Sequence, residues 1–180
     1  MTSRKLVAFT LAVVGTFLLF GCTEPSPVAS SLTPEQVSVG SLAKPVPGSY
    51  ELSFFDHNVQ TITTLPVGNE LVLHAYVQDS NGAPAQSGAV RFQFCSQGGR
   101  SLTTNPLPSA ECDSAGAGAW VSLTTMKVNG GFCPGLGTGN ACVNFGAVQL
   151  PRTIGFRFEY SPQGSGIAKG ASPAMDFSWF

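Results

Sequence analysis

The five cysteines are the residues of this 180-residue chain best able to form covalent bonds or bind a metal ion; they are Cys22, Cys95, Cys112, Cys133 and Cys142. An exported chain with an odd number of cysteines must use one of them outside its disulfides. If Cys22 has that separate role, the other four can pair completely in an oxidising compartment. A zinc site would need closer, CxxC-like spacing and usually histidine ligands, and neither histidine lies near the four in sequence. We therefore expect two disulfides and no metal ion.

The pattern around the four later cysteines favours two local disulfides, Cys95–Cys112 and Cys133–Cys142. Cys95 alternates with Phe94, so its side chain is predicted to face away from the core, which argues against a bridge between sheets. Closing loops of about 10 to 18 residues is worth roughly 3 kcal/mol each in the chain-entropy description. The alternative, Cys112–Cys133 with Cys95–Cys142, stays open because connectivity cannot be deduced from sequence.

Acid and imidazole groups that could do catalysis are few. Asp56 and His57 are predicted to form a turn, and His74 is predicted to lie on the outer face of a strand. A catalytic site needs a nucleophile, a base and an orienting group, and these cannot be named here. The segment "GLGTGN" at 135–140 has glycine spacing like that of a phosphate-binding loop, but no lysine follows it. We expect no catalytic residue, no cofactor and no enzyme activity, and keep a hydrolase only as a third hypothesis.

The N-terminus has the layout of a secretory signal. Arg4 and Lys5 precede an apolar stretch of fifteen residues, and Gly21 places a small residue before Cys22. As a helix that stretch spans only about 22 Å, short of the roughly 30 Å of a bilayer core. The sequence "LFGC" at 19–22 resembles the lipobox of bacterial lipoproteins, although Phe20 stands where a smaller residue is usual. The resemblance implies a signal peptide at 1–21 and a lipidated Cys22; the alternative is an ordinary signal peptide cut nearby.

The resemblance also implies a location. A lipidated Cys22 would anchor the protein in a membrane of the bacterial cell envelope. Thr23, and not aspartate, follows the cysteine, which in a Gram-negative host resembles the signal for passage to the outer membrane.

A segment rich in proline and serine follows the cysteine. Residues 22–49 lack any sustained apolar period, so we interpret them as the lipidated cysteine and a flexible tether. Fully extended, such a tether could reach roughly 80 Å. The alternative is that residues 37–42 pack on the domain as a first edge strand.

Residues 50–180 have the composition and period of a β domain. Glycine (21), phenylalanine (13) and proline (13) favour short strands, turns and an aromatic core. The segments "ELVLHAYVQ", "AVRFQFC", "TIGFRFEY" and "AMDFSWF" alternate with a period of two and each has one apolar face. Turn sequences separate them, so six to eight strands are expected to form a two-sheet β-sandwich. With a net charge of -1 and no basic stripe, the chain lacks the electrostatic pattern of a nucleic-acid-binding protein.

Two turns and their strands resemble a known family. "YVQDSNGAPAQSGAVRFQF" and "CDSAGAGAWVSLTT" are similar to the strand and turn sequences of bacterial immunoglobulin-like domains of the intimin and invasin type. The resemblance covers residues 70–123, and "TIGFRFEY" is similar to a late strand of such domains. It implies an immunoglobulin-like sandwich at 50–180 that serves as a spacer or an adhesive module, since such domains are not usually enzymes.

Candidate binding residues are aromatic or lie in a long glycine-rich insert at 129–144. Tyr76 and Trp120 are predicted to face outward, where a pair of such rings could stack on a sugar or anchor a protein. In the insert the candidates are Leu136, Thr138 and Asn140. The alternative is that these residues cover the edges of the sheets or pack against the tether. The sequence thus predicts a non-catalytic envelope module that is a spacer or binds an envelope protein; the alternative is a lectin-like domain that binds a glycan.

Overall fold

A computed structural model describes residues 44–98, 105–113, 117–131 and 135–180. The predictions for the signal peptide, for Cys22 and for most of the tether lie outside these residues, as does the alternative edge strand at 37–42. The chain forms ten strands and one short helix within the described residues. The strands are β1 (Gly48–Phe55), β2 (Thr64–Leu65), β3 (Glu70–Asp79), β4 (Ala89–Gln97), β5 (Gly118–Lys127), β6 (Gly130–Gly131), β7 (Asn140–Ala147), β8 (Arg152–Ser161), β9 (Gly170–Ala171) and β10 (Met175–Trp179). The helix α1 is Ala110–Asp113, and no described helix is long and apolar enough to cross a membrane.

The strands form two sheets that pack face to face. The four-stranded sheet has the order β1-β3-β7-β6, and the six-stranded sheet has the order β2-β10-β8-β4-β5 with β9 beside β8. Neighbours are antiparallel except for β10 with β2 and β6 with β7. The predicted all-β, two-sheet structure is therefore confirmed.

The core lies between the sheets and is built from the predicted apolar rows. β3, β4 and β8 each direct alternate side chains into this core. The inward rows are Leu71, Leu73, Ala75 and Val77 on β3, Val90, Phe92 and Phe94 on β4, and Ile154, Phe156, Phe158 and Tyr160 on β8. On β10, Phe177 and Trp179 are buried as predicted, but Met175 is 41% exposed. The prediction for Met175 was wrong because β2 pairs only with the last two residues of β10 and leaves Met175 at an open edge.

The sandwich has two ends, which we define by where the chain joins it. Val46 donates its backbone N–H to Gly166 and lies at the end we call proximal, together with the turns that follow β3 and β8. The end we call distal carries the turn after β1, the turn between β7 and β8, and Phe180. β1 begins at Gly48, so the first strand starts two residues before the predicted start of the domain.

Candidate functional site

A strap of residues 105–113 joins three strands of the six-stranded sheet at the distal end. Leu107 lies between the diverging ends of β4 and β8: its N–H donates to Cys95 (3.0 Å) and its carbonyl accepts from Gly155 (2.8 Å). The backbone N–H of Ser109 then donates to the Asp176 carboxylate on β10 (2.7 Å). The strap crosses directly over β8, because a Cβ atom at position 155 would lie 2.3 Å from the nitrogen of Ser109.

The disulfide Cys95–Cys112 fixes the strap to the outer face of β4. Its formation confirms one predicted pair and excludes the alternative in which Cys95 bonds to Cys142. Cys142 is also disulfide-bonded, but its partner is outside the described residues, as is Cys133. The pair Cys133–Cys142 therefore stays a prediction.

Trp120 lies beside this disulfide on the outer face of the six-stranded sheet, in register with Cys95. Its indole N–H donates to Asp113 of the strap (3.3 Å), and the guanidinium carbon of Arg157 lies 4.5 Å from the ring centroid. Since a cation already occupies one face of the half-buried ring, Trp120 presents little free surface to a sugar.

A row of charged and polar side chains continues from this ring across the sheet. Arg157 donates to Gln93 (2.7 Å) and pairs with Glu159 (3.5 Å), which also pairs with Arg91. The hydrogen bond from Arg91 lowers the pKa of Glu159, and the charges of Arg91 and Arg157 act in the same direction against partial burial. These ionic partners are satisfied by one another, so the row stabilises the outer face without leaving a free charge on Glu159.

Tyr76 lies on the outer face of the other sheet, in register with Asn140 of β7. Tyr76 and Trp120 therefore face opposite sides of the sandwich and cannot form one aromatic surface. Sequence alone could not separate them, because the period of two gives the face of each strand but not the sheet to which the strand belongs.

The glycine-rich insert is partly strand and partly a fixed loop. Asn140 belongs to β7 and is 7% exposed. Its Nδ2 donates to the carbonyls of Leu136 (3.1 Å), Gly137 (2.9 Å) and Thr138 (3.1 Å). The side-chain amide of Asn140 therefore holds the loop, and ligand binding by Asn140 stays a prediction. Leu136 packs against an outer cluster formed by Phe55, Val72 and Cys142, and Thr138 is exposed.

His74 lies on the outer face of β3, as the sequence predicted, but it is buried there. Its ring stacks on Phe55 (4.8 Å between centroids), and Nε2 lies 2.5 Å from Oδ1 of Asn140. Burial lowers the pKa of His74; the hydrogen bond with Asn140 and the charge of Glu51 oppose this effect. The ring is on the predicted face of β3, where it contacts Phe55 and Asn140.

Asp56 and His57 form the predicted turn. The Asp56 carboxylate accepts the backbone N–H groups of Asn58 (2.9 Å) and Gln60 (2.8 Å), which explains the acid at this position. The turn borders an open hollow of about 540 Å³ that Glu70 also lines. Among the residues that the structure describes, no three His, Cys, Asp or Glu side chains are grouped to hold a metal ion.

A second cavity of about 330 Å³ opens at the distal end between the strap and the turn from β7 to β8. Its walls are mostly apolar, and Arg152 is the one charged residue among the described residues that line it. The prediction of binding residues missed this cavity. The signal for it lies in the alternation of β8, where Arg152 is in phase with the inward residues Ile154 and Phe156. When the chain is compared with protein-family models, with curated proteins and with solved structures, it gives no match.

Proposed function

We propose that the protein is a non-catalytic module of the bacterial cell envelope, anchored by lipid at Cys22, whose immunoglobulin-like domain acts as a spacer or as a protein-interaction domain. The charged, apolar and Gly21-Cys22 sequence of the N-terminus supports the anchor. Stable anchoring takes two membrane signals, such as two acyl chains, because one chain binds only marginally.

The observation that carries the domain assignment is the order of the strands. Immunoglobulin domains have one sheet in the order A-B-E-D and a second with C, F and G, to which variable-type domains add C′ beside C. In the four-stranded sheet the places of A, B, E and D are taken by β1, β3, β7 and β6. In the other sheet the places of G, F, C and C′ are taken by β10, β8, β4 and β5. The order in each sheet and the order along the chain both fit, which supports an immunoglobulin-like sandwich. The strands β3 and β8, in the places of B and F, contain no cysteine to form the bridge of antibody domains.

Protein interaction or spacing is favoured over the lectin-like alternative by the placement of the aromatic candidates. Tyr76 and Trp120 lie on opposite faces, and Arg157 covers one face of Trp120. Sugar recognition by stacking uses exposed ring faces, so neither residue offers the pair of rings that the alternative requires.

Membrane fractionation tests the anchor. The chain expressed in a bacterial host is expected in the membrane fraction, and Cys22→Ser is expected in the soluble fraction, because the thiol that carries the lipid is gone. Thr23→Ser is the matched control and should stay with the membrane. If Cys22→Ser remains as membrane-bound as the unchanged chain, the proposed anchor is wrong.

A glycan array separates the two classes of binding. The Cys22→Ser protein is expected to bind no glycan, as a spacer or protein-binding module would. A glycan that binds the protein, and is lost on Trp120→Ala, would replace the proposal by the lectin-like alternative.

A further inference from the structure

The distal cavity has the shape and lining of a small-molecule site. Its apolar wall is formed by Phe145, Val148, Ile154 of β8 and Pro106 of the strap. Leu150 lies at its opening, with 61% of its surface exposed. Its volume of about 330 Å³ lies near the lower end of the range for ligand sites. With about 30 Å³ for one water in the liquid, it has room for roughly ten water-sized groups.

Arg152 is an inward-facing cation that has no counter-ion in the described part of the chain. It pairs in register with Trp179, and cross-strand partners project to the same face of a sheet, so Arg152 projects on the core side. Its Nε is buried and has no hydrogen-bond partner, and its guanidinium forms no ion pair with an acid in the described part of the chain. A buried donor that is left unpaired destabilises the folded state, and a bound hydrogen-bond acceptor would remove this free-energy cost.

A second unpaired donor lies next to Arg152. Trp179 is 2% exposed, and its Nε1 is buried without a hydrogen-bond partner among the residues that the structure describes. Its ring centroid lies 5.9 Å from that of Phe145, which lines the cavity. Arginine and the indole N–H can only donate, so both groups require an acceptor.

We propose that the distal cavity binds a small amphipathic carboxylate, whose acid group pairs with Arg152 and whose apolar body packs against Phe145, Val148 and Leu150. The planar guanidinium matches a carboxylate with two parallel hydrogen bonds. A wholly polar anion such as phosphate would leave the apolar wall without a partner, whereas an aliphatic or aromatic acid of roughly ten non-hydrogen atoms fills it. This small-molecule site adds to the proposed envelope function and does not depend on the lipid anchor.

The two tryptophans of the chain provide a direct reporter. In a titration of the purified full chain with octanoate, followed by ¹⁵N–¹H spectra, the indole N–H signal of Trp179 is expected to shift in a saturable manner. The signal of Trp120, on the outer face of the sheet, should not move. Octanamide, which has the same shape without the charge, and inorganic phosphate are each expected to bind at least about tenfold more weakly, because each lacks one of the two interactions.

Variants identify the cation. Arg152→Gln is expected to weaken octanoate binding at least about tenfold, while Arg91→Gln, on the outer face of the same sheet, should leave binding unchanged. Leu150→Glu is a second test that leaves the core unchanged, since Leu150 is exposed. The negative charge of the new side chain at the opening should weaken octanoate binding by about fivefold. The proposal is overturned if octanoate does not shift Trp179, if octanamide binds as well as octanoate, or if folded Arg152→Gln or Leu150→Glu binds octanoate like the unchanged chain.

Discussion

His74 donates a hydrogen bond from Nε2 to Oδ1 of Asn140, across a distance of 2.5 Å, and the surroundings of Asn140 fix this direction. The Nδ2 of Asn140 donates to three loop carbonyls, so its Oδ1 must be the acceptor. The proton of neutral His74 therefore lies on Nε2. The other nitrogen, Nδ1, is buried and has no partner in the described structure, so a second proton there would be a buried charge without an acceptor.

The first prediction is a loss of stability in mild acid that depends on His74. Burial lowers the pKa of His74 below its ordinary value of 6.5, with Asn140 and Glu51 opposing. The unfolded chain therefore takes up a proton at a higher pH than the folded chain does. The contribution of neutral His74 is fully present above pH 6.5 and is lost as the pH falls from there towards the lowered pKa. Urea unfolding at about pH 7.5 and about pH 5.5 measures the difference.

His57 provides the matched control for this prediction, because it is exposed in the turn after β1. His74→Gln should reduce the pH dependence of the unfolding free energy, whereas His57→Asn should leave it unchanged. Equal pH dependence in the unchanged chain and in His74→Gln would contradict the account of the buried imidazole.

The second prediction concerns the contact between the strap and β8. Gly155→Ala should destabilise the protein by about 1–3 kcal/mol, because the added methyl group would meet the backbone of Ser109 at 2.3 Å and neither strand nor strap can yield easily. Gly137→Ala is the control, since a Cβ there meets nothing within 4 Å. Chemical unfolding compares the two. Similar small effects from both substitutions would show that the strap does not press on β8.

The third prediction concerns the Cys95–Cys112 disulfide, whose cysteines are 17 residues apart. Replacing both cysteines by alanine should lower the free energy of unfolding by roughly 3 kcal/mol through the freer unfolded chain. The far-ultraviolet circular dichroism should keep its β signal, since Cys95 projects from the sheet face opposite Phe94 and the core. The double variant is used in place of reduction with a thiol, because reduction would also break the disulfide of Cys142. Loss of the β signal in the double variant would mean that the sandwich itself depends on the bridge.

The period of two in the sequence was sufficient to predict the two sheets and most of the core. The inward rows of β4 and β8 follow directly from alternation, because successive side chains of a strand project to opposite faces of the sheet. Alternation placed His74 on the correct face but did not predict its burial, because its partner Asn140 is 66 residues away in the chain. It failed at Met175 because a neighbouring strand, β2, is too short to cover it.

The candidate sites were less predictable than the fold. Tyr76 and Trp120 were assigned correctly to outer faces, but which sheet holds each strand depends on long-range pairing. Asn140 looked like a loop residue because asparagine and glycine are common in turns, and only its three carbonyl partners reveal the role. Arg152 could have been noticed from the sequence, since a charged residue in phase with Ile154 and Phe156 is unusual in a core-facing row.

The most direct test of the proposed function is the mass of the N-terminal peptide of the protein after expression in a bacterium and purification from its membranes. We predict that the mature chain begins at Cys22 and that this peptide carries the added mass of its lipid, with no residue of 1–21 retained. A peptide that begins with unmodified Cys22, or that begins at any other residue, would contradict the account of a lipid-anchored envelope module.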